Sequence, residues 1–156
     1  MSLEGIYFED FAPEKIFKTH KRTITETDLI NFTTLCGFFE PLFLDQGYVE
    51  TKTAFGRRIV PGALSFAYAE GLTILSGILH HTGMAFLGME LQVLKPVFVG
   101  DTIEVEVEVI EKRETQKPDR GIVTFRHRVI NQNGEGVLEY KLKRMIRRKA
   151  GSDIKP

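Results

Sequence analysis

The sequence predicts an α+β domain in which one antiparallel sheet of about five strands wraps around a single long helix. The first observation is a helical segment, residues 61–81, that opens with Pro-Gly and has apolar residues on nearly every side. The second is a series of four strand patterns that follow it. Because one curved sheet covers only one side of such a helix, the other side requires a partner subunit or an inserted segment.

The residues before the long helix predict one edge strand and a helical insertion. Residues 15–23 alternate weakly and contain lysines, which is typical of an edge strand. Thr25, with Asp28 three residues later, predicts the capped start of a first helix. Asp45 predicts the cap of a second short helix over about residues 46–54.

Four strands are predicted after the long helix, over residues 85–97, 101–111, 121–130 and 137–147. The second has the clearest two-residue alternation in the chain, with isoleucine and valines on one face and glutamates on the other. An Asn-Gly turn joins the last two strands as a hairpin. His127 lies in the strand predicted over residues 121–130, where the alternation places its side chain among apolar neighbours. This favours a core or interface histidine whose nitrogens are hydrogen-bonded.

Length and composition indicate one domain and exclude several classes of function. We assign the domain to residues 1–150 and a disordered tail to residues 151–156. Twenty-one basic and 21 acidic residues cancel, so nothing attracts the chain as a whole to nucleic acid or a membrane. The longest apolar run contains Glu70 and three glycines, which favours a core helix over a membrane span. One cysteine and an acidic N-terminal segment predict a cytoplasmic protein.

An unusually apolar loop follows the first predicted helix. Residues 36–48 read CGFFEPLFLDQGY, with phenylalanines and leucines around a proline. Loop backbone needs water or polar partners, so loops are usually polar. The loop therefore demands a specific explanation.

The loop and its flanks resemble the MaoC-like (R)-specific enoyl-CoA hydratases. The similar stretches are residues 31–72, which include GRRIVPG, and residues 95–109, KPVFVGDTIEVEVEV, and the resemblance extends over about residues 25–147. It implies the hotdog fold, an antiparallel sheet around a central helix that usually pairs into dimers. It also implies an acyl-CoA thioester as substrate or ligand, with no other cofactor.

The resemblance further implies that the catalytic residues of the family are missing. The family loop reads approximately G-D-x-N-P-L-H-x-D, in which the first Asp and the His transfer protons. Phe38 and Phe43 occupy those two positions, and Glu40 occupies that of the Asn. A phenyl ring can neither accept nor donate a proton in the reaction. The positions we expect to contact substrate are Phe38, Pro41, Phe43, Asp45, Tyr48 and Pro61.

Three other residues are candidates for the chemistry. The resemblance gives Gly62 the backbone N–H that binds the thioester carbonyl. Glu40 is a candidate general acid if buried beside the phenylalanines, or a solvent-facing loop residue. Glu70, eight residues after Gly62, resembles the central-helix carboxylate of hotdog thioesterases. Alternatively it lies at a dimer seam or helix gap and pairs with an arginine such as Arg57 or Arg58.

We therefore expect an acyl-CoA-binding hotdog protein, and whether it is an enzyme stays open. It is either an inactive or weak hydratase, or the substrate-binding subunit of a heteromeric dehydratase. The alternatives are an acyl-CoA thioesterase that uses Glu70 and a non-catalytic acyl-CoA sensor. A homodimer or a pair with a related hotdog chain is expected.

The other histidines, the cysteine and the basic run near the end of the chain are interpreted as structural. The scattered histidines and single cysteine show no metal-ligand spacing. His80 and His81 are expected to cap the long helix. The basic run over residues 141–149 is interpreted as a solvated strand face, with contact to the CoA 3′-phosphate as the alternative.

Overall fold

The computed structural model describes residues 4–149, and these form an antiparallel sheet packed on a central helix. The sheet has six strands in this part of the chain: β1 Ile16–Lys18, β2 Arg22–Thr23, β3 Gly83–Val93, β4 Thr102–Glu114, β5 Arg120–Ile130 and β6 Gly136–Arg147. Their order is β1-β4-β5-β6-β3, and β2 also pairs with β4. The helices are α1 Glu26–Cys36, α2 Pro41–Leu44, α3 Gln46–Lys52 and α4 Gly62–Leu75, after a short 3-10 helix Phe8–Asp10. The predicted tail, residues 151–156, lies outside the described residues.

The predicted capping of α1 is confirmed. The Thr25 hydroxyl accepts a hydrogen bond from the Asp28 N–H at 3.2 Å, and the Asp28 carboxylate accepts one from the Thr25 N–H at 2.8 Å. Gly37 ends the helix with φ +73°, a left-handed conformation that glycine adopts without strain. This reversal directs the chain into the apolar loop.

The apolar loop contains a helical turn that the sequence did not predict. Pro41 is the first residue of α2, a position where its missing N–H is harmless. Asp45 then caps α3 as predicted, because its carboxylate accepts a hydrogen bond from the Tyr48 N–H at 2.9 Å. The loop is thus two short helices, which explains how it satisfies its backbone with so few polar side chains.

The core lies between the sheet and α4, as the alternation in β4 predicted. The residues of β4 that face the core are at most 1% exposed: Ile103, Val105, Val107 and Val109. The glutamates between them lie on the outer face and pair with basic residues of neighbouring strands, for example Glu106 with Lys18 at 2.9 Å and with Arg128 at 3.1 Å. Lys141 and Lys143 of β6 are exposed while Leu142 between them is buried, which confirms a solvated strand face for this part of the basic run. Arg144, in the same run, is buried, so there the prediction was wrong.

Helix α4 is shorter and more exposed than predicted. It ends at Leu75, so His80 and His81 lie in the turns beyond it and the prediction that they cap it was wrong. Leu64 and Leu72 face the sheet, whereas Ile74 is 60% and Leu75 70% exposed. The sheet covers one side of the helix and leaves the other open, as expected for one curved sheet.

The open side of α4 lies beside an unpaired sheet edge. Strand β3 is the last strand of the sheet and pairs only with β6 in the described part of the chain. An exposed apolar edge of this kind is a template for pairing with another chain. Its exposed large apolar residues, with the one that follows it, are Phe86, Leu87, Met89, Val93 and Leu94.

No helix in residues 4–149 is long and apolar enough to cross a membrane. Within the same residues, no group of three or more histidine, cysteine, aspartate or glutamate side chains is arranged to hold a metal ion.

Candidate functional site

Two phenylalanine rings lie in the loop at the positions to which the resemblance assigns proton transfer, and a third ring, from α1, packs against them. The Phe38 and Phe43 ring centroids lie 6.2 Å apart, and the Phe32 ring of α1 lies 5.3 Å from Phe38. All three side chains are half-buried. The Phe38 N–H donates to the Thr33 carbonyl at 2.9 Å, which fixes the loop against α1. The structure brings Phe38 and Phe43 together, so this part of the loop is apolar.

The remaining loop candidates are on the surface. Glu40 is exposed and immediately precedes α2, and its side chain makes no capping hydrogen bond. The burial that would have made it a general acid is absent. Pro41 and Asp45 are also exposed, and Tyr48 is partly so. Their contact with a substrate stays a prediction.

Gly62 begins α4 beside the open edge of the sheet. The segment before it is fixed by a 2.7 Å hydrogen bond from the Val60 N–H to the Val97 carbonyl, and Pro61 is buried. The N–H groups of a first helical turn have no acceptor within the helix, and the helix dipole favours negative charge there. A β-carbon at Gly62 would lie 3.3 Å from Val93 Cγ2, so a side chain would crowd this end of β3.

Glu70 faces the sheet, where it forms an ion pair with an arginine that the sequence did not identify. Its Oε1 accepts a hydrogen bond from the Tyr140 hydroxyl at 2.9 Å, and its Oε2 pairs with the Arg144 guanidinium. The prediction of an arginine partner is confirmed, but Arg57 and Arg58, offered as examples, were the wrong arginines. Arg58 pairs with Glu26 at 2.5 Å and Arg57 lies over the Phe98 ring. Sequence spacing gave no signal for Arg144, because it approaches α4 from the last strand.

His127 completes this cluster. It is fully buried, and its ring stacks on that of Tyr140 with centroids 4.4 Å apart. Its Nε2 lies 3.7 Å from Glu70 Oε1, beyond hydrogen-bond distance, and both ring nitrogens lack a hydrogen-bond partner. Burial, with the positive charge of Arg144, lowers the pKa of His127 to about 3. The prediction of a core histidine is confirmed, but its nitrogens are not satisfied.

A second polar cluster, also missed, joins the helical insertion to α4. The Tyr68 hydroxyl donates to Asp28 Oδ1 at 2.6 Å, and Arg22 pairs with the same carboxylate at 3.0 Å while lying over the Tyr68 ring. Burial raises the pKa of Asp28, but hydrogen bonds from Tyr68 and Thr25 outweigh it and lower that pKa to about 2. Burial and the bond to Asp28 raise the pKa of Tyr68 to about 12. The cluster fixes α1, and with it the loop.

The antiparallel sheet on a central helix, with one open edge, defines a hotdog domain. A conserved hypothetical protein from Mycobacterium tuberculosis, described as a double hotdog fold, superposes with TM-score 0.85 at 22% identity over 100% of this chain and 48% of its own. Residues 10–131 match the family model of the MaoC-like domain, and the chain belongs to this family. A monoamine oxidase regulatory protein from Archaeoglobus fulgidus superposes with TM-score 0.86 at 36% identity over 94% of this chain and 97% of its own.

Curated relatives include hydratases. The (R)-specific enoyl-CoA hydratase of Aeromonas caviae is 41% identical over 103 residues, which cover 66% of this chain and 72% of the hydratase. Protein MaoC of Klebsiella aerogenes is 36% identical over 115 residues, 73% of this chain. That match spans only 33% of the Klebsiella protein, so this chain corresponds to about a third of it.

Proposed function

We propose that this protein binds acyl-CoA thioesters in a hydratase-type site and does not hydrate them by itself. The observation that supports the proposal is the pair of rings, Phe38 and Phe43, 6.2 Å apart at the two proton-transfer positions. The similarity to the (R)-specific enoyl-CoA hydratase of Aeromonas caviae supports the substrate class.

The chemistry of hydration explains why these two positions decide activity. A base must take a proton from water while an acid protonates the α-carbon of the enoyl thioester, and each such group typically contributes about 10²- to 10⁴-fold in rate. The two phenyl rings supply neither, and with Phe32 they occupy the space with carbon. Exposed Glu40 has no fixed geometry toward a substrate. Binding and turnover are therefore separable in this protein.

We assign thioester binding to the Gly62 N–H, in the first turn of α4. It donates to the carbonyl oxygen, and such a donor stabilises negative charge on that oxygen.

We further propose that a second hotdog chain pairs along the open edge strand β3. The exposed large apolar residues of β3 lie on this edge, so such pairing buries them. A second copy of this chain gives a homodimer without the proton-transfer groups. A related chain that does contain the Asp and His gives a heteromeric dehydratase in which this chain binds substrate.

The structure favours a structural role for Glu70 over a thioesterase role. Both carboxylate oxygens are engaged, one by Tyr140 and the other by Arg144. A catalytic carboxylate needs an oxygen free to activate water or attack the carbonyl. A non-catalytic acyl-CoA sensor shares the same site, and it differs from the substrate-binding subunit only in having no catalytic partner.

The test combines binding with a restored pair. We expect the natural protein to bind acyl-CoA in calorimetry and to hydrate crotonyl-CoA no faster than buffer. The variant Phe38→Asp/Phe43→His should gain hydration, whereas Phe39→Asp, a matched change at an exposed ring of the same loop, should not. Rapid hydration by the natural protein, or no acyl-CoA binding, would contradict the proposal.

A further inference from the structure

The cluster of Glu70, Tyr140, Arg144 and His127 contains buried polar atoms that the fold leaves without partners. Glu70 and Arg144 pair with each other, and their side chains are only 13% and 11% exposed. The Nε of Arg144 and both nitrogens of His127 are buried without a hydrogen bond. Buried polar atoms in folded proteins are nearly always paired, so each exception requires an explanation. Stability alone does not supply one, because an apolar group of similar size would avoid the cost.

Arg144 lines a cavity that opens on the surface. The cavity has a volume of about 350 Å³ and lies between the turns after α4 and the start of β3. His80 and His81 contribute two stacked imidazole rings, with centroids 4.1 Å apart, and the remaining wall is largely apolar, including Ile74 and Phe86. An apolar cavity with a few convergent polar groups is the usual form of a small-molecule site. All three polar side chains in its wall can donate hydrogen bonds, which favours an anionic or acceptor group.

An open track along α4 connects this cavity with the thioester-binding end of the helix. Ala63, Ala67, Gly71 and Ile74 are exposed and recur at helical spacing along one side. They span about 16 Å at 1.5 Å per residue. A β-carbon added at Gly71 would meet nothing within 4 Å, so the chain's own packing does not require glycine there. A ligand lying against the helix needs small side chains beneath it, and Ala63, Ala67 and Gly71 supply them.

We propose that the cavity binds a carboxylate at the far end of the acyl group, so that the preferred ligand is the CoA ester of a dicarboxylic acid. The inference rests on the proposed binding of acyl-CoA at Gly62. Glu70 and Tyr140 position the Arg144 guanidinium, and its terminal N–H groups donate to the ligand. Arginine suits this role because its planar fork binds carboxylates through two hydrogen bonds.

The experiment measures acyl-end preference by calorimetry on the full chain. Adipoyl-CoA is compared with hexanoyl-CoA, and sebacoyl-CoA with decanoyl-CoA, so that each pair differs only in the terminal group. We expect at least one dicarboxylic ester to bind about tenfold or more tightly than its partner, the amount expected for one charged hydrogen bond. Arg144→Met should abolish that preference, and Arg144→Lys should retain part of it.

The controls separate folding from recognition. Lys143→Met alters the neighbouring residue of the same strand on the solvent face and should keep the full preference. If Arg144→Met alone does not fold, Glu70→Gln/Arg144→Met removes both charges and should show no preference. Equal binding within both ester pairs would overturn this inference and leave the proposed function intact. Failure of all four esters to bind would overturn both.

Discussion

The buried His127 predicts a stability loss on mild acidification. Its pKa of about 3 lies below the ordinary value of 6.5, so between these values the unfolded chain binds a proton that the folded chain does not. Stability is therefore present above pH 6.5 and falls as pH decreases through that window. Glu70 lies 3.7 Å away, but Arg144 balances its negative charge, so Glu70 does not stabilise the protonated His127 ring.

The magnitude follows from these two pKa values. Integrating the proton difference from pH 7 to pH 5 gives a loss of about 2 kcal/mol in the free energy of unfolding. Urea unfolding at the two pH values measures it. Asp28, with its pKa of about 2, adds to the loss of stability only below about pH 4. A carboxyl with a lowered pKa stabilises the fold at higher pH and loses that stabilisation as the pH falls.

The variant His127→Phe isolates the effect. It keeps the ring stacked on Tyr140 and removes no hydrogen bond, because neither His127 nitrogen makes one. We expect it to reduce the loss between pH 7 and pH 5 by about 2 kcal/mol, whereas His20→Phe at an exposed histidine should leave the loss unchanged. An identical loss in the natural protein and in His127→Phe would refute the reasoning.

Three further outcomes can be checked on the same preparations. Arg144→Met leaves the Glu70 carboxylate buried and unpaired and should cost about 3–5 kcal/mol in urea unfolding, while Glu70→Gln/Arg144→Met should cost far less; equal losses would show that the pair is not coupled. Gly71→Ala should stabilise an isolated chain by about 1 kcal/mol through helix propensity, and a destabilisation would show that this surface is covered in the free protein. Met89→Lys places a charge on the exposed edge strand and should convert a dimer to a monomer in light scattering, whereas a dimer of unchanged stability would exclude pairing along β3.

The fold was predictable from local patterns wherever those patterns repeat. Alternation over 101–111 located β4, and the Thr25 and Asp28 cap located the start of α1. The hairpin turn was readable from Asn-Gly, whose glycine adopts φ +77°. What failed was the end of α4, because apolar residues continue past Leu75 into turns that pack on the core without being helical.

The site was only partly predictable, for a physical reason. Phe38, Phe43 and Gly62 follow from matching a loop and a helix start to a family pattern, which is local in sequence. The partners of Glu70 are not local, because Tyr140 and Arg144 lie on the last strand, 70 and 74 residues away. No spacing rule connects them. Only the pairing of β6 with its neighbours determines which of its side chains reach α4.

The measurement that tests the central claim most directly is crotonyl-CoA hydration by the unmodified protein, made beside acyl-CoA calorimetry on the same preparation. We predict saturable binding together with a hydration rate at the buffer background, because two groups each worth about 10²- to 10⁴-fold are absent. Hydration that is saturable in crotonyl-CoA and clearly above background would contradict the claim. It would show that another group transfers protons beside Phe38 and Phe43.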